Sequence, residues 1–182
     1  MKSALLVSAL LAATAQVASA GAYVGLGISP TPAASDSLSA VATPDGRGGR
    51  ALLGFRFANI SFEGALAGVH TLTAHGNDTL YTAWAAGKLS LPLGSGFEVF
   101  GRLGVHHTWT SVDQGPVIDI AGNGLLVGAG AEYNLNLVAT KISLWVDYTL
   151  AHAALRDQPD QRYGLDYNTT LRTWTLGLSV GI

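Results

Sequence analysis

The chain has 182 residues, a formal net charge of -2 and a positive mean hydropathy; charged residues make up only 12% of it, about half the usual share. It holds 23 glycines and no cysteine. Disulfides, thiolate metal sites and a cysteine nucleophile are thereby excluded, and with no basic stripe there is no nucleic-acid signal.

The N-terminus reads as a targeting segment. Met1-Lys2 gives a short positive start, Ala4 to Ala15 an apolar run, and Ala18-Ser19-Ala20 a small-residue cleavage site before Gly21. Residues 1–20 are therefore expected to be a cleavable signal peptide and 21–182 a single β-barrel domain, with an uncleaved anchor as the alternative. No later segment reaches the ~18 uncharged apolar residues of a spanning helix.

Eight strands follow. They are predicted at Gly21–Ser29, Arg50–Phe57, Ile60–His70, Thr79–Leu91, Phe97–Trp109, Gly122–Leu135, Lys141–His152 and Leu171–Ile182. Most are near the ~9–11 residues that cross a bilayer at a tilt. Short turns at Ala58-Asn59, Pro92–Gly96 and Asn136–Thr140 alternate with longer loops at Pro30–Gly49, Thr71–Asp78, Thr110–Ala121 and Ala153–Thr170. Membrane barrels have this rhythm of short periplasmic turns and long external loops, and eight strands return both ends to the periplasm.

Alternation assigns the faces. Ala51, Leu53, Phe55 and Phe57 share one side of the second strand, opposite Gly54 and Arg56; Ile142, Leu144, Val146, Tyr148 and Leu150 oppose Ser143, Asp147 and Thr149 in the seventh. The mid-strand charges are Arg56, Glu63, Lys88, Arg102, Glu132 and Asp147, three of each sign. An Arg or Lys facing lipid at mid-depth costs ~2–4 kcal/mol, so these residues are expected to face the lumen. Glu63 and Lys88 set the phase of their less regular strands. A soluble barrel explains the alternation equally well, but not the aromatics. Tyr81, Trp109 and Trp174 fall outward at loop-side ends, and Phe57, Phe62, Phe97 and Tyr133 outward at turn-side ends, as two girdles around an apolar band. Inward glycines leave room for the long charged chains and for Trp84 and Trp145, because eight strands enclose little space.

These residues resemble the eight-stranded transmembrane domain of OmpA-type outer membrane proteins and the related small porin-like barrels. The likeness lies in Gly54-Phe55-Arg56-Phe57 with Ile60-Ser61-Phe62-Glu63, Gly87-Lys88-Leu89-Ser90-Leu91-Pro92, Phe100-Gly101-Arg102-Leu103-Gly104, Gly128-Ala129-Gly130-Ala131-Glu132-Tyr133 and Val146-Asp147-Tyr148. The resemblance implies an all-β, eight-stranded up-and-down barrel in the outer membrane, with an interior salt-bridge network on Glu63, Lys88, Arg102, Glu132 and Asp147. Two departures stand out. Trp145 occupies the place of an inward Arg, with Arg56 as the expected substitute. Ile182 stands where the family ends in an aromatic residue.

The expected role is structural or surface-interacting, through the external loops, in envelope integrity, adhesion or resistance. The lumen is expected to be plugged by its charges. Expected partners are outer membrane lipids including lipopolysaccharide, the barrel-assembly machinery during biogenesis and a surface ligand of the loops; the barrel is expected to be a monomer without cofactor or metal. A small ion-conducting porin and a lipid-modifying enzyme remain as alternatives. His106 and His107 near Ser111 and Asp113, and His152 near Asp157, do not match the His-and-Ser arrangement of lipid A deacylase barrels. His70, His75 and Asp78 form a weak metal pattern. Arg172, outward beside Trp174, is placed either to meet a lipid phosphate or simply to snorkel.

Overall fold

A computed structural model describes residues 20–30, 32–36, 42–73, 76–111, 119–137, 140–158 and 166–181; of the expected signal peptide 1–20, residues 1–19 lie outside them. Nine strands run in chain order: β1 (Ala20–Ser29), β2 (Ala33–Asp36), β3 (Ala42–Phe57), β4 (Ile60–Thr73), β5 (Gly76–Gly94), β6 (Phe97–Ser111), β7 (Asp119–Asn136), β8 (Lys141–Gln158) and β9 (Asp166–Gly181). Sequential neighbours from β3 to β9 pair antiparallel, β1 pairs with β3, and β1 also pairs with β9 from Tyr23↔Gly181 to Ile28↔Leu176, which closes the barrel. The wall thus has eight strands around it. The short β2 extends the β1 edge, pairing Ala33–Asp36 with Arg172–Thr169 after a one-residue slip in register.

Stagger sets the tilt. Stepping from partner to partner from Ala20 passes Phe57, Ile60, Leu89, Gly101, Ala129, Tyr148 and Trp174. Extending the β1–β9 register by two residues then leads to Pro30. A shear of about ten residues over eight strands inclines them about 40° to the barrel axis. Tight turns close one end. Ala58 has φ 53° and Gly94 and Gly96 have φ 98° and 82°, left-handed values that glycine adopts freely and alanine at a cost. The ladder shifts register between Pro92 and Gly94, where proline has no N–H to donate.

The predicted strands are all present, but longer, and the predicted loops are correspondingly shorter. Only 74–75 separate β4 from β5 and only 112–118 separate β6 from β7. The expected loop 30–49 contains β2 and the first part of β3.

The cause is a change in what the two faces contain. Near the turns the outside is apolar: Leu26, Leu53, Phe62, Leu103, Leu125 and Leu176 are each more than half exposed. Toward the far end the order reverses. Along β8, Leu144 and Val146 are exposed while Trp145 and Asp147 are buried; further on, His152, Ala154 and Arg156 are exposed while Ala151, Ala153 and Leu155 are buried. Val69, Leu80, Trp84, Ile120, Leu126, Leu155 and Leu171 belong to one apolar cluster inside the wall, with Leu126 1% and Leu155 0% exposed. That end has the construction of a water-soluble barrel, and burial of these side chains is what holds the strands together beyond the apolar band.

Candidate functional site

The two-residue period sends one side chain in two from each strand into the lumen. All six charges expected there are buried or half-buried inside. Arg102 Nε donates to Glu63 Oε2 at 2.7 Å and its Nη1 to Asp147 Oδ2 at 2.8 Å, linking β6 to β4 and β8 across the lumen. Lys88 pairs with Glu132 and lies 3.6 Å from Glu63 Oε1. Arg56 Nη2 donates to Glu98 Oε2 at 2.7 Å and its Nη1 to Glu132 Oε1 at 3.2 Å. Its Nε donates to the Ala58 carbonyl at 2.7 Å, tying the charge to the tight turn.

Four participants were absent from the sequence reading. Arg50 pairs with Asp147 and is buried; its guanidinium lies 4.6 Å from the Trp145 ring centre and 5.7 Å from that of Trp84. It is this arginine, and not Arg56, that lies over Trp145. Tyr23 Oη donates to Glu63 Oε1 at 2.6 Å, and Glu98 and Lys141 face inward at the turn end. Parity alone identifies them: Arg50 shares the phase of Arg56, Glu98 that of Arg102, and Lys141 that of Asp147. Glu98 and Lys141 lie at strand ends, and Arg50 opens the predicted second strand although it sits midway along β3; at a strand end a charge also fits water.

Aromatic faces line the same space. Arg102 lies 4.9 Å from the Trp84 ring and 5.3 Å from Phe100, and Lys88 lies 4.3 Å from Phe100, which favours the cations as their water is removed. Two glycines make this packing possible. A Cβ at Gly54 would enter the Tyr23 ring, and one at Gly177 the Trp145 indole. Two small interior spaces lie among the described residues: about 60 Å³ beside Tyr23, Lys88 and Glu132, and about 30 Å³ between Arg50, Trp84 and Leu126. The turn-end mouth is wider, about 420 Å³.

The aromatic residues expected as girdles face outward. Tyr81 stacks on Trp109 with ring centres 5.8 Å apart, Phe97 meets Tyr133 at 5.5 Å, and Trp174 meets Tyr148 at 4.9 Å. Phe57 and Phe62 stand 63% and 69% exposed. Above Trp174 on the same face, Arg172 is exposed.

Three strand histidines contact hydroxyl, amide and backbone groups. His106, inside, bonds the His152 carbonyl through Nε2 and Thr108 Oγ1 through Nδ1, both at 3.0 Å. His107, outside, stacks on Trp109 and bonds Asn123 Oδ1 at 2.8 Å; His152, also outside, bonds Thr170 Oγ1 at 2.9 Å. His75 and Asp113 and the side chains of Asp78, Ser111 and Asp157 lie outside the described residues. Among the described residues no three His, Asp or Glu side chains are grouped to hold a metal ion.

The chain matches known outer membrane barrels. The profile of the family described as "Outer membrane protein beta-barrel domain" aligns with residues 3–181. No curated protein matches the chain in sequence. Among solved structures it is similar to Neisserial surface protein A, with a TM-score of 0.66 at 17% identity over 87% of this chain and 96% of that one. It is also similar to Ail, the attachment invasion locus protein of Yersinia pestis, solved with the heparin analogue sucrose octasulfate, with a TM-score of 0.51 at 15% identity over 90% and 97% of the two chains. At these identities the structural likeness establishes the fold. The profile match spans nearly the whole chain and agrees with a closed wall that is apolar outside and charged within: the protein belongs to the outer membrane β-barrel family and resides in the cell outer membrane.

Proposed function

We propose that this barrel acts at the cell surface as a structural or surface-interacting protein, with a closed lumen and with external hairpins that contact other surfaces in envelope integrity, adhesion or resistance. The observation that carries this reading is the filled interior. The periplasmic half holds interlocked ion pairs, the external half holds an apolar cluster, and the spaces left inside measure about 60 and 30 Å³. A one-water site needs ~10–15 Å³ of such space together with polar partners, so each of these spaces holds a few waters at most. Such packing supports a plug over a path for ions. An enzymatic reading has less support: His106, His107 and His152 bond hydroxyl, amide and backbone groups.

Charge bears on the partner. The external segments carry Asp36, Asp45, Asp78, Asp113, Asp119, Asp157, Asp160 and Asp166 against Arg47, Arg156 and Arg162. An acidic surface favours a basic or hydroxyl-rich partner over a polyanion such as the one bound to Ail. Lipopolysaccharide and other outer membrane lipids are the proposed neighbours of the outward rim around Arg172. Insertion is assigned to the barrel-assembly machinery, with the barrel working as a monomer.

Two measurements test the reading. Purified protein in planar bilayers is expected to show no large, steady conductance; a stable wide pore overturns the plug. Replacing 112–118 and 159–165 by short Gly-Ser turns is expected to abolish binding to partner cells while the protein still migrates differently before and after boiling. Altered lipid A on mass spectrometry, with binding unchanged, would instead favour the enzyme.

A further inference from the structure

Lys141 opens β8 at the periplasmic mouth, half-buried and facing inward. Each other cation of the lumen is paired. Arg50 holds Asp147, Arg56 holds Glu98 and Glu132, Lys88 holds Glu132, and Arg102 holds Glu63 and Asp147. Three of those four carboxylates are shared between two cations, and the fourth, Glu98, is held by Arg56. Lys141 has none within 4 Å among the described residues, so the lumen there carries one positive charge more than its carboxylates balance.

Its surroundings are shaped to receive an anion. Lys141 lines both the 420 Å³ mouth and the narrower 60 Å³ space behind it, as does Arg56; Lys88 lines the inner one. Glu98 and Glu132 offset Arg56 and Lys88, so the uncompensated charge is that of Lys141, and a wall of low dielectric concentrates its potential at the opening. Polar groups stand beside them. Asn134 and Asn136 line the mouth, and Ser143 donates to Asn134 Oδ1 at 2.6 Å, leaving the Asn134 amide with its N–H donors. Among the described residues that line the mouth the one carboxylate is Glu98, already held by Arg56.

We propose that the periplasmic mouth is a binding site for a small oxyanion, a carboxylate or phosphate of net charge near -1, held by Lys141 with Arg56 behind it. The ligand is a solute of the periplasm, and its site is separate from the external surface.

The test uses the full barrel in lipid nanodiscs and follows backbone amide resonances while sodium phosphate, or in parallel sodium acetate, is added at constant ionic strength. Saturating shifts at Lys141, Asn134 and Asn136 are expected, with a midpoint of about millimolar. The Lys141→Met variant is expected to weaken the response about tenfold, and Lys141→Arg to keep it. The Ala154→Arg variant, which adds a cation on the outer surface, serves as the control and leaves it unchanged. Should Lys141→Met fail the boiling-shift test for folding, Lys141→Gln takes its place. A response to acetate alone identifies a carboxylate site, and a response to phosphate alone a phosphate site. Shifts that grow without saturation, or that persist undiminished in Lys141→Met, overturn the proposal. So does a wild-type barrel that ignores both anions, as it would if a carboxylate from the chain after Gly181 already held the ammonium.

Discussion

Asp147 offers the sharpest test of the lumen network. Its side chain is fully buried and accepts from Arg50, from Arg102 and, at 3.3 Å, from Thr149 Oγ1. The Asp147→Asn variant keeps the shape but removes the charge. Arg102 retains Glu63. Arg50 has no second carboxylate among its ion pairs and is left charged between Trp84 and Trp145. Breaking a buried pair on one side costs ~3–5 kcal/mol, so we expect a loss of about 4 kcal/mol, or about a thousandfold in the folding equilibrium. Arg50→Met should cost less, about 2 kcal/mol, because Asp147 then still holds Arg102. The double variant should be more stable than the sum of the two losses implies, since it leaves no orphaned guanidinium. Equilibrium urea unfolding in lipid vesicles, read by tryptophan fluorescence, measures all three. A change below about 0.5 kcal/mol for Asp147→Asn, or strict additivity in the double variant, would refute the argument and point to a well-hydrated lumen in which these charges are individually solvated.

Four further outcomes follow from the packing, each measurable by the same unfolding curves. Leu126→Ala, in the apolar external core, should cost ~2–5 kcal/mol, and a value near zero would mean that this end is wet. Leu103→Arg, facing lipid at mid-height, should cost ~2–4 kcal/mol, whereas Ala154→Arg, outward beyond the apolar band, should be tolerated within about 0.5 kcal/mol. Gly177→Val, driven into the Trp145 indole, should destabilise by ~1–3 kcal/mol. Ala58→Gly, which relieves a left-handed alanine at φ 53°, should stabilise by about 0.5–1 kcal/mol.

The eight-stranded wall was readable because its code is simple. Inward and outward positions alternate, and Arg56, Arg102, Glu132 and Asp147 each lie opposite an apolar row, so the phase of their strands has one solution. Three features escaped for physical reasons. Glu98 and Lys141 lie at strand ends and Arg50 at the end of the predicted second strand, where parity says inward but hydration allows either face; β3 begins eight residues earlier, at Ala42. The extent of the strands was hidden by the reversal of polarity. In Ala151-His152-Ala153-Ala154-Leu155-Arg156 the apolar residues have moved to the opposite parity from Leu144, Val146 and Tyr148, and the alanines among them signal either side weakly. A reader following one apolar row sees the strand stop where it has only changed environment. The short β2 had no periodicity of its own, because its place depends on the edge that β9 offers after β1 ends.

That reversal also fixes where the molecule stands. A wall with one polarity throughout could ride up or down in the bilayer at modest expense. Here each direction has its own stop. Displacement toward the periplasm would draw His107, His152 and Arg172 into hydrocarbon; displacement outward would lift Leu103, Leu125 and Leu176 into water. The barrel is therefore a gauge of fixed depth, and its external hairpins are presented at a constant height above the lipid, whatever they meet there.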